Sequence, residues 1–331
     1  MPSSSQRSGP DRQTAGPGFV APGTLEPMSD PFPSSKVRGL FMGSGGGLAE
    51  PGMAELVIEL SGKEAAGLEL LYLGTATYDA PEPRERQTVR FAELGCRVRP
   101  LDVATRDPSE AETNEALERA DIVLVSGGNT LYAVDRWTSL GLDEKLRLAV
   151  DAGLVACGGS AGAICWFDGG HSDSMDPSSY LEPLPADEPR AADWRYVRVD
   201  GLGLLPGLLC PHYKATQSNG VLRATDFQAM MLRHSGETGL GLDNWAGLLV
   251  DAGRYRVVRP EGREGSVRDG RFVEDRSGLP GLWLHEVTDG RVDIRLAPEG
   301  GRLDDIVQPA RSTQADAFLD LARAENPSRP R

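Results

Sequence analysis

The chain has 331 residues, 39% of them hydrophobic and 25% charged, with a formal net charge of −14. That composition is ordinary for a globular protein and long enough for one large domain. The acidity argues against nucleic acid, whose phosphate backbone needs a basic surface, and no apolar run approaches the ~20 residues of a membrane helix.

Residues 1–35 are rich in Ser, Pro and Gly and cannot bury enough apolar surface to offset ordering entropy, so they read as a disordered tail. From Val37 the pattern changes. "VRGLFMGSGGG" is an apolar run ending in glycines, "AELVIELSG" has helical spacing, and "LELLYLGTA" is a second strand. "PEPRERQTVRFAELG" reads as a helix and "CRVRPLDVA" as a third strand. "DPSEAETNEALERA" opens with Asp107 as N-cap and Pro108 at the first helical position. "DIVLVSGG" is a fourth strand, "NTLYAVDRWTSL" begins a helix, and "LVACGG" is a fifth strand. Strands alternating with helices predict an α/β fold, a mostly parallel sheet with helices on both faces.

Beyond Phe167 the pattern loosens. Residues 168–200 read as an irregular excursion, "VDGLGLLPGLLCPHY" as strand and loop, and "ATDFQAMMLRH" as a helix. "TGLGLDNWAGLLVDAGRYRVV" reads as a hairpin. The expected organisation is a tail over 1–35, a catalytic α/β domain over 36–258, and a small β-rich extension over 259–331 closing in a helix, "TQADAFLDLARAE".

Cys96, Cys157, Cys165 and Cys210 show neither a CxxC pair nor a His spacing suited to zinc, so buried free thiols are expected, with no metal and no cofactor. With no apolar signal core at the N-terminus, these thiols suggest a reducing, cytoplasmic setting. A dinucleotide site at "GSGGGLAEP" is disfavoured, because Leu48 occupies the third glycine position of G-x-G-x-x-G. A glycine turn near the active-site edge fits better.

The chemistry concentrates in "ACGGSAGAICWF", where Gly158-Gly159-Ser160-Ala161-Gly162 fits G-x-S-x-G at a strand-to-helix junction. A sharp turn there exposes the Ser160 hydroxyl, and only small neighbours avoid clashes. The Ala161 N–H can stabilise an oxyanion, and Gly128, in "SGGNTLY" at the end of the preceding strand, can supply a second donor. A plain glycine-rich turn capped by Asn129 is the bland alternative. Of the four histidines, His212 in "LLCPHYKA" follows an apolar run at the sheet's carboxyl edge, where chemistry gathers in open α/β sheets. His234 ends a helix, His285 lies on a late strand, and His171 begins "HSDS".

Together and in this order, "SGGNTLYAV", "GGSAGAICWF" and "LLCPHY" resemble the peptidase E family of serine peptidases, family S51, over roughly residues 37–255. The resemblance implies a class I glutamine-amidotransferase-like fold with serine at the nucleophile elbow. Ser160 would be the nucleophile, His212 the base, and Gly128 and Ala161 the oxyanion donors of a Ser-His-Asp triad working through an acyl-enzyme. Asp173 is the expected acid, with Asp243 as the alternative and Asn244 where some relatives would have a carboxylate. The substrate would be a small peptide, dipeptides with N-terminal aspartate being the type case. Asn129 and Lys214 would bind it, with Arg190 and Arg223 as further cations. The one protein partner expected is a second copy of the chain, in a homodimer. An α/β esterase or a non-catalytic binding protein on the same fold are the competing readings, the former lacking an HGGG-type loop.

Overall fold

The computed structural model describes residues 36–185, 187–275 and 277–328, so the expected tail over 1–35 lies outside the described residues. The N-terminal half is the expected alternation. Strands β1 (Arg38–Met42), β2 (Glu69–Leu73), β3 (Arg97–Pro100), β4 (Ile122–Val125) and β5 (Val155–Gly159) are separated by helices α1 (Met53–Ser61), α2 (Pro81–Glu93), α3 (Glu110–Arg119), α4 (Thr130–Leu140) and α5 (Leu142–Asp151). The five strands pair in parallel in the order β1-β5-β4-β2-β3. At α3 the N-cap is Ser109 rather than Asp107, because Ser109 and Glu112 form a reciprocal capping box.

After β5 come α6 (Ala161–Ile164), β6 (Phe167–Ser172), β7 (Val197–Asp200), β8 (Leu205–Cys210), α7 (Arg223–Arg233) and β9 (Gly239–Leu242). Then follow β10 (Gly247–Asp251), β11 (Arg254–Val258), β12 (Val267–Arg268), β13 (Arg271–Phe272), β14 (Leu282–Thr288), β15 (Arg291–Leu296), β16 (Gly300–Arg302) and α8 (Leu319–Glu325). The mostly parallel arrangement is divided between two sheets. Strands β10, β11 and β16 extend the first sheet antiparallel beyond β1, whereas β15-β14-β9-β8-β6-β7 form a second sheet with a parallel centre. The segment read as one hairpin therefore splits: β9 joins the second sheet, and only β10 and β11 pair with each other.

Strand alternation explains the layering. Leu40 and Met42 pack with Met53, Val57 and Phe91 under α1 and α2. Phe41, one residue between them, turns to the opposite face and joins Trp137, Leu146, Leu209 and Leu240, a core shared with the second sheet. The outer face of the second sheet buries Leu208 and Cys210 against Phe227, Met230 and Met231 of α7 and Leu319 of α8. Residues beyond 258 thus supply strands to both sheets and a helix to this outer layer. All four cysteines are free and buried, and no described helix is long and apolar enough to cross a membrane.

His285 on β14 sits wholly buried in that outer layer, its Nε2 2.9 Å from the Tyr213 hydroxyl. Burial pushes its pKa down to about 4. A histidine depressed in the folded state contributes stability above its unfolded pKa, lost as pH falls from about 6.5 toward 4, because only the unfolded chain takes up the proton. His285→Gln removes that term. Its stability relative to wild type should therefore improve by about 3 kcal/mol between pH 7 and pH 4, read from denaturant midpoints at both values. A difference that does not change with pH would refute the buried neutral imidazole.

Candidate active site

β5 is buried along its length and ends at Gly159, and Ser160 then takes φ 56° and ψ −121°, a conformation seldom adopted by a side-chain-bearing residue. Neighbouring atoms hold it there. The Ser160 N–H donates to the Met42 carbonyl at 3.0 Å, and the Ser160 carbonyl accepts from Ala163 and Ile164 at 3.0 and 3.1 Å as α6 begins. Side chains beside it are excluded: a Cβ on Gly159 would lie 2.0 Å from the Ser44 oxygen, and one on Gly162 2.1 Å from the Val125 oxygen. The 43–47 glycine turn packs directly against this elbow, with a Cβ built on Gly45 falling 3.9 Å from Ser160 Cβ.

A hydrogen bond links Ser160 to the second sheet. His212, just beyond β8, places Nε2 2.8 Å from Ser160 Oγ, and its Nδ1 lies 2.6 Å from Oδ1 of Asn244, just beyond β9. An amide oxygen accepts, so His212 carries its proton on Nδ1 and leaves Nε2 free to take one from the serine. Burial, assisted by the Arg223 charge and opposed by Asp173 and the Asn244 bond, pushes the His212 pKa down to about 4. The imidazole is therefore neutral at neutral pH, as a base must be. The N–H groups of Gly128 and Ala161 have no hydrogen-bond partner among the described residues, and a Cβ on Gly128 would lie 2.1 Å from the Ala76 oxygen.

The expected acids stand elsewhere. Asp173 does not bond His212: its Oδ2 accepts from Arg223 Nη1 at 2.9 Å and Gln217 Nε2 at 2.8 Å. The physical reason is Arg223, wholly buried and needing a counter-charge. Burial alone would raise the Asp173 pKa, but this guanidinium and Gln217 hold it below the ordinary value. Asp243 also turns away from His212, accepting from the Ser266 N–H and hydroxyl at 2.8 and 2.6 Å and from the Gly281 N–H at 3.0 Å. Its neighbour Asn244 takes the inward position.

The expected substrate contacts are likewise committed. Asn129 is buried, caps α4 by accepting from the Tyr132 N–H at 3.0 Å, and donates to the Ser174 carbonyl and Ser179 hydroxyl, both at 3.0 Å. Lys214 donates to the carbonyls of Gly265, at 2.6 Å, and Asp275. Arg190 pairs with Glu188 in an exposed segment. His171 pairs with Asp226 at 2.9 Å, and His234 ends α7. No group of three or more His, Cys, Asp or Glu among the described residues could hold a metal ion. Asn244, which the resemblance set where some relatives would have a carboxylate, is the group that meets His212.

The model of peptidase family S51 matches residues 40–258. The chain belongs to that family. It is 31% identical over 177 residues to a Bacillus subtilis protein named uncharacterized peptidase YgaJ, covering 53% of this chain and 67% of that one. It is also 26% identical over 326 residues to a Trypanosoma brucei brucei protein named G2/mitotic-specific cyclin-1, covering 88% of this chain and 94% of that one. The crystal structure of a peptidase from an acI-B1 Actinobacterium shares the fold at a TM-score of 0.53, with 18% identity over 80% of this chain and 96% of that one. This S51 chain thus combines a serine elbow with a histidine whose far nitrogen meets an amide oxygen.

This arrangement predicts an acid limb of kcat/KM well below pH 6.5, near the depressed His212 pKa of about 4. Asn244→Asp places a negative charge beside the imidazole, favours its protonated form, and should move that limb upward. Asn244→Ala should lower kcat by about 10²-fold through misoriented imidazole. Asp173→Asn should mainly lower the thermal midpoint, by weakening the partner of a buried guanidinium. A large kcat loss in Asp173→Asn with Asn244→Ala near wild type would reverse these assignments.

Proposed function

We propose that this S51 peptidase is a serine-type hydrolase of small peptides, acting through Ser160, His212 and Asn244. The observation that carries this reading is the 2.8 Å approach of His212 Nε2 to a serine hydroxyl on a strained strand-to-helix elbow. Ser160 Oγ attacks the scissile carbonyl as its proton passes to His212 Nε2. The oxyanion forms against the N–H groups of Gly128 and Ala161. His212 then gives the proton to the departing amine, leaving an acyl-enzyme on Ser160. Water, deprotonated by the same nitrogen, releases the acid and restores the serine. Asn244 holds the imidazole in the tautomer this cycle needs, as the carboxylate does in Ser-His-Asp enzymes.

Dipeptides are the substrate class that the family resemblance implies. A preference for N-terminal aspartate requires a cation at the site, and Lys214 and Arg223 both hold other partners. The test is therefore a dipeptide panel varied at the first residue, run beside short acyl esters. Cleavage of peptides that falls by about 10⁴-fold or more in folded Ser160→Ala supports the reading. Ester turnover without peptide turnover, or activity that survives Ser160→Ala, overturns it.

A further inference from the structure

Tyr213 and Lys214 after His212, and Asp243 and Trp245 on either side of Asn244, are tied to one stretch of chain that lies beyond the family-matched residues 40–258. Beside His212, the Tyr213 hydroxyl lies 2.9 Å from His285 Nε2, and Lys214 Nζ donates to the Gly265 carbonyl at 2.6 Å. Beside Asn244, Asp243 Oδ2 gathers the Ser266 N–H, the Ser266 hydroxyl and the Gly281 N–H. The Ser266 hydroxyl is itself fixed by Trp283 Nε1 at 2.7 Å. On the other side of Asn244, the Arg263 guanidinium lies 4.2 Å above the Trp245 ring while its Nε donates to Glu50 at 2.9 Å. Strand β14 also pairs with β9, setting Leu282 opposite Leu242, two residues before Asn244.

We infer that residues 263–275 and 277–285 form a positioning clasp for the candidate site, with Asp243 and Ser266 as the positioning residues that set Asn244 and, through it, His212. Neither touches the reacting atoms. The Asp243–Ala246 turn has only one internal backbone bond, Ala246 N–H to Asp243 carbonyl at 3.0 Å. A turn of that kind does not by itself hold a side chain to the fraction of an ångström that proton transfer requires. The three hydrogen bonds on a buried carboxylate supply that rigidity. The likeness to the trypanosome protein, covering 88% of this chain, extends past residue 258 and so takes in part of this segment.

The inference rests on the proposed roles of Ser160, His212 and Asn244, and the test separates the two. In the full chain, Ser266→Ala removes the hydroxyl and keeps the backbone, and Asp243→Ala is the stronger variant. Two quantities are read: the rate at which a fluorophosphonate labels Ser160, and the ¹⁵N shifts of His212, which report its tautomer. Ser266→Ala, folded by circular dichroism, should slow labelling by about ten- to a hundredfold and mix the Nδ1–H and Nε2–H forms. Introduced into Asn244→Ala, the same substitution should change the labelling rate by less than about twofold, because the route through Asn244 is already broken. A merely structural Ser266 would give additive losses, and additive losses overturn the inference. So do an unchanged tautomer and labelling rate in folded Ser266→Ala. If wild type is not labelled, yet its His212 holds the Nδ1–H form and Ser266→Ala loses it, the serine-hydrolase reading fails and the clasp stands.

Discussion

A 2.8 Å contact, Ser160 Oγ to His212 Nε2, joins the two sheets at the candidate site. Ser160 stands at the end of β5 in the first sheet, whereas His212 and Asn244 follow β8 and β9 in the second. The contact therefore depends on how the sheets pack. That packing is apolar: Phe41 beside β5 and Leu209 and Leu240 on β8 and β9 belong to one buried core. Interiors at crystal-like density do not slide, so a core of this kind sets the separation of the polar groups at its rim.

The site also shows how charge is placed. Both expected carboxylates bond groups other than His212. Asp173 answers the buried Arg223, and Asp243 is taken up by Ser266 and Gly281. What reaches the imidazole is a neutral amide oxygen, at 2.6 Å. An amide orients the ring without the electrostatic pull of a carboxylate on the imidazolium. This is consistent with the depressed pKa of about 4, for which burial and the Arg223 charge are the leading causes. The arrangement favours an imidazole that rests neutral over one held protonated.

The C-terminal residues change the meaning of the family resemblance. The elbow, the histidine and the glycine turns all lie within residues 40–258, yet the groups that hold Asp243 and Lys214 lie beyond them. Strand β14 continues the sheet that carries His212 and Asn244, and β16 continues the sheet that carries Ser160. The extension is therefore built into both sheets instead of being appended to one.

Much of the fold and part of the site could be read from local pattern. Runs such as "DIVLVSGG" and "LVACGG" are short, apolar and glycine-terminated, which suffices to place parallel strands and the Ser160 elbow. Such signals survive because each depends on neighbours a few residues away. The division into two sheets was not legible, because strand pairing after Phe167 is decided by long-range register, and a run like "GLGL" carries no mark of which sheet it joins. The partner of His212 was ambiguous for a related reason. Asp243 and Asn244 are adjacent in sequence, and a search by residue type favours the acid. Which of them faces His212 is decided by Ser266 and Gly281, whose donors claim the carboxylate from 23 and 38 residues away. By itself the sequence determined which chemistry was available at each strand end; the tertiary structure alone decided which of two neighbouring polar groups would meet the imidazole, because a buried carboxylate goes where its hydrogen-bond donors are.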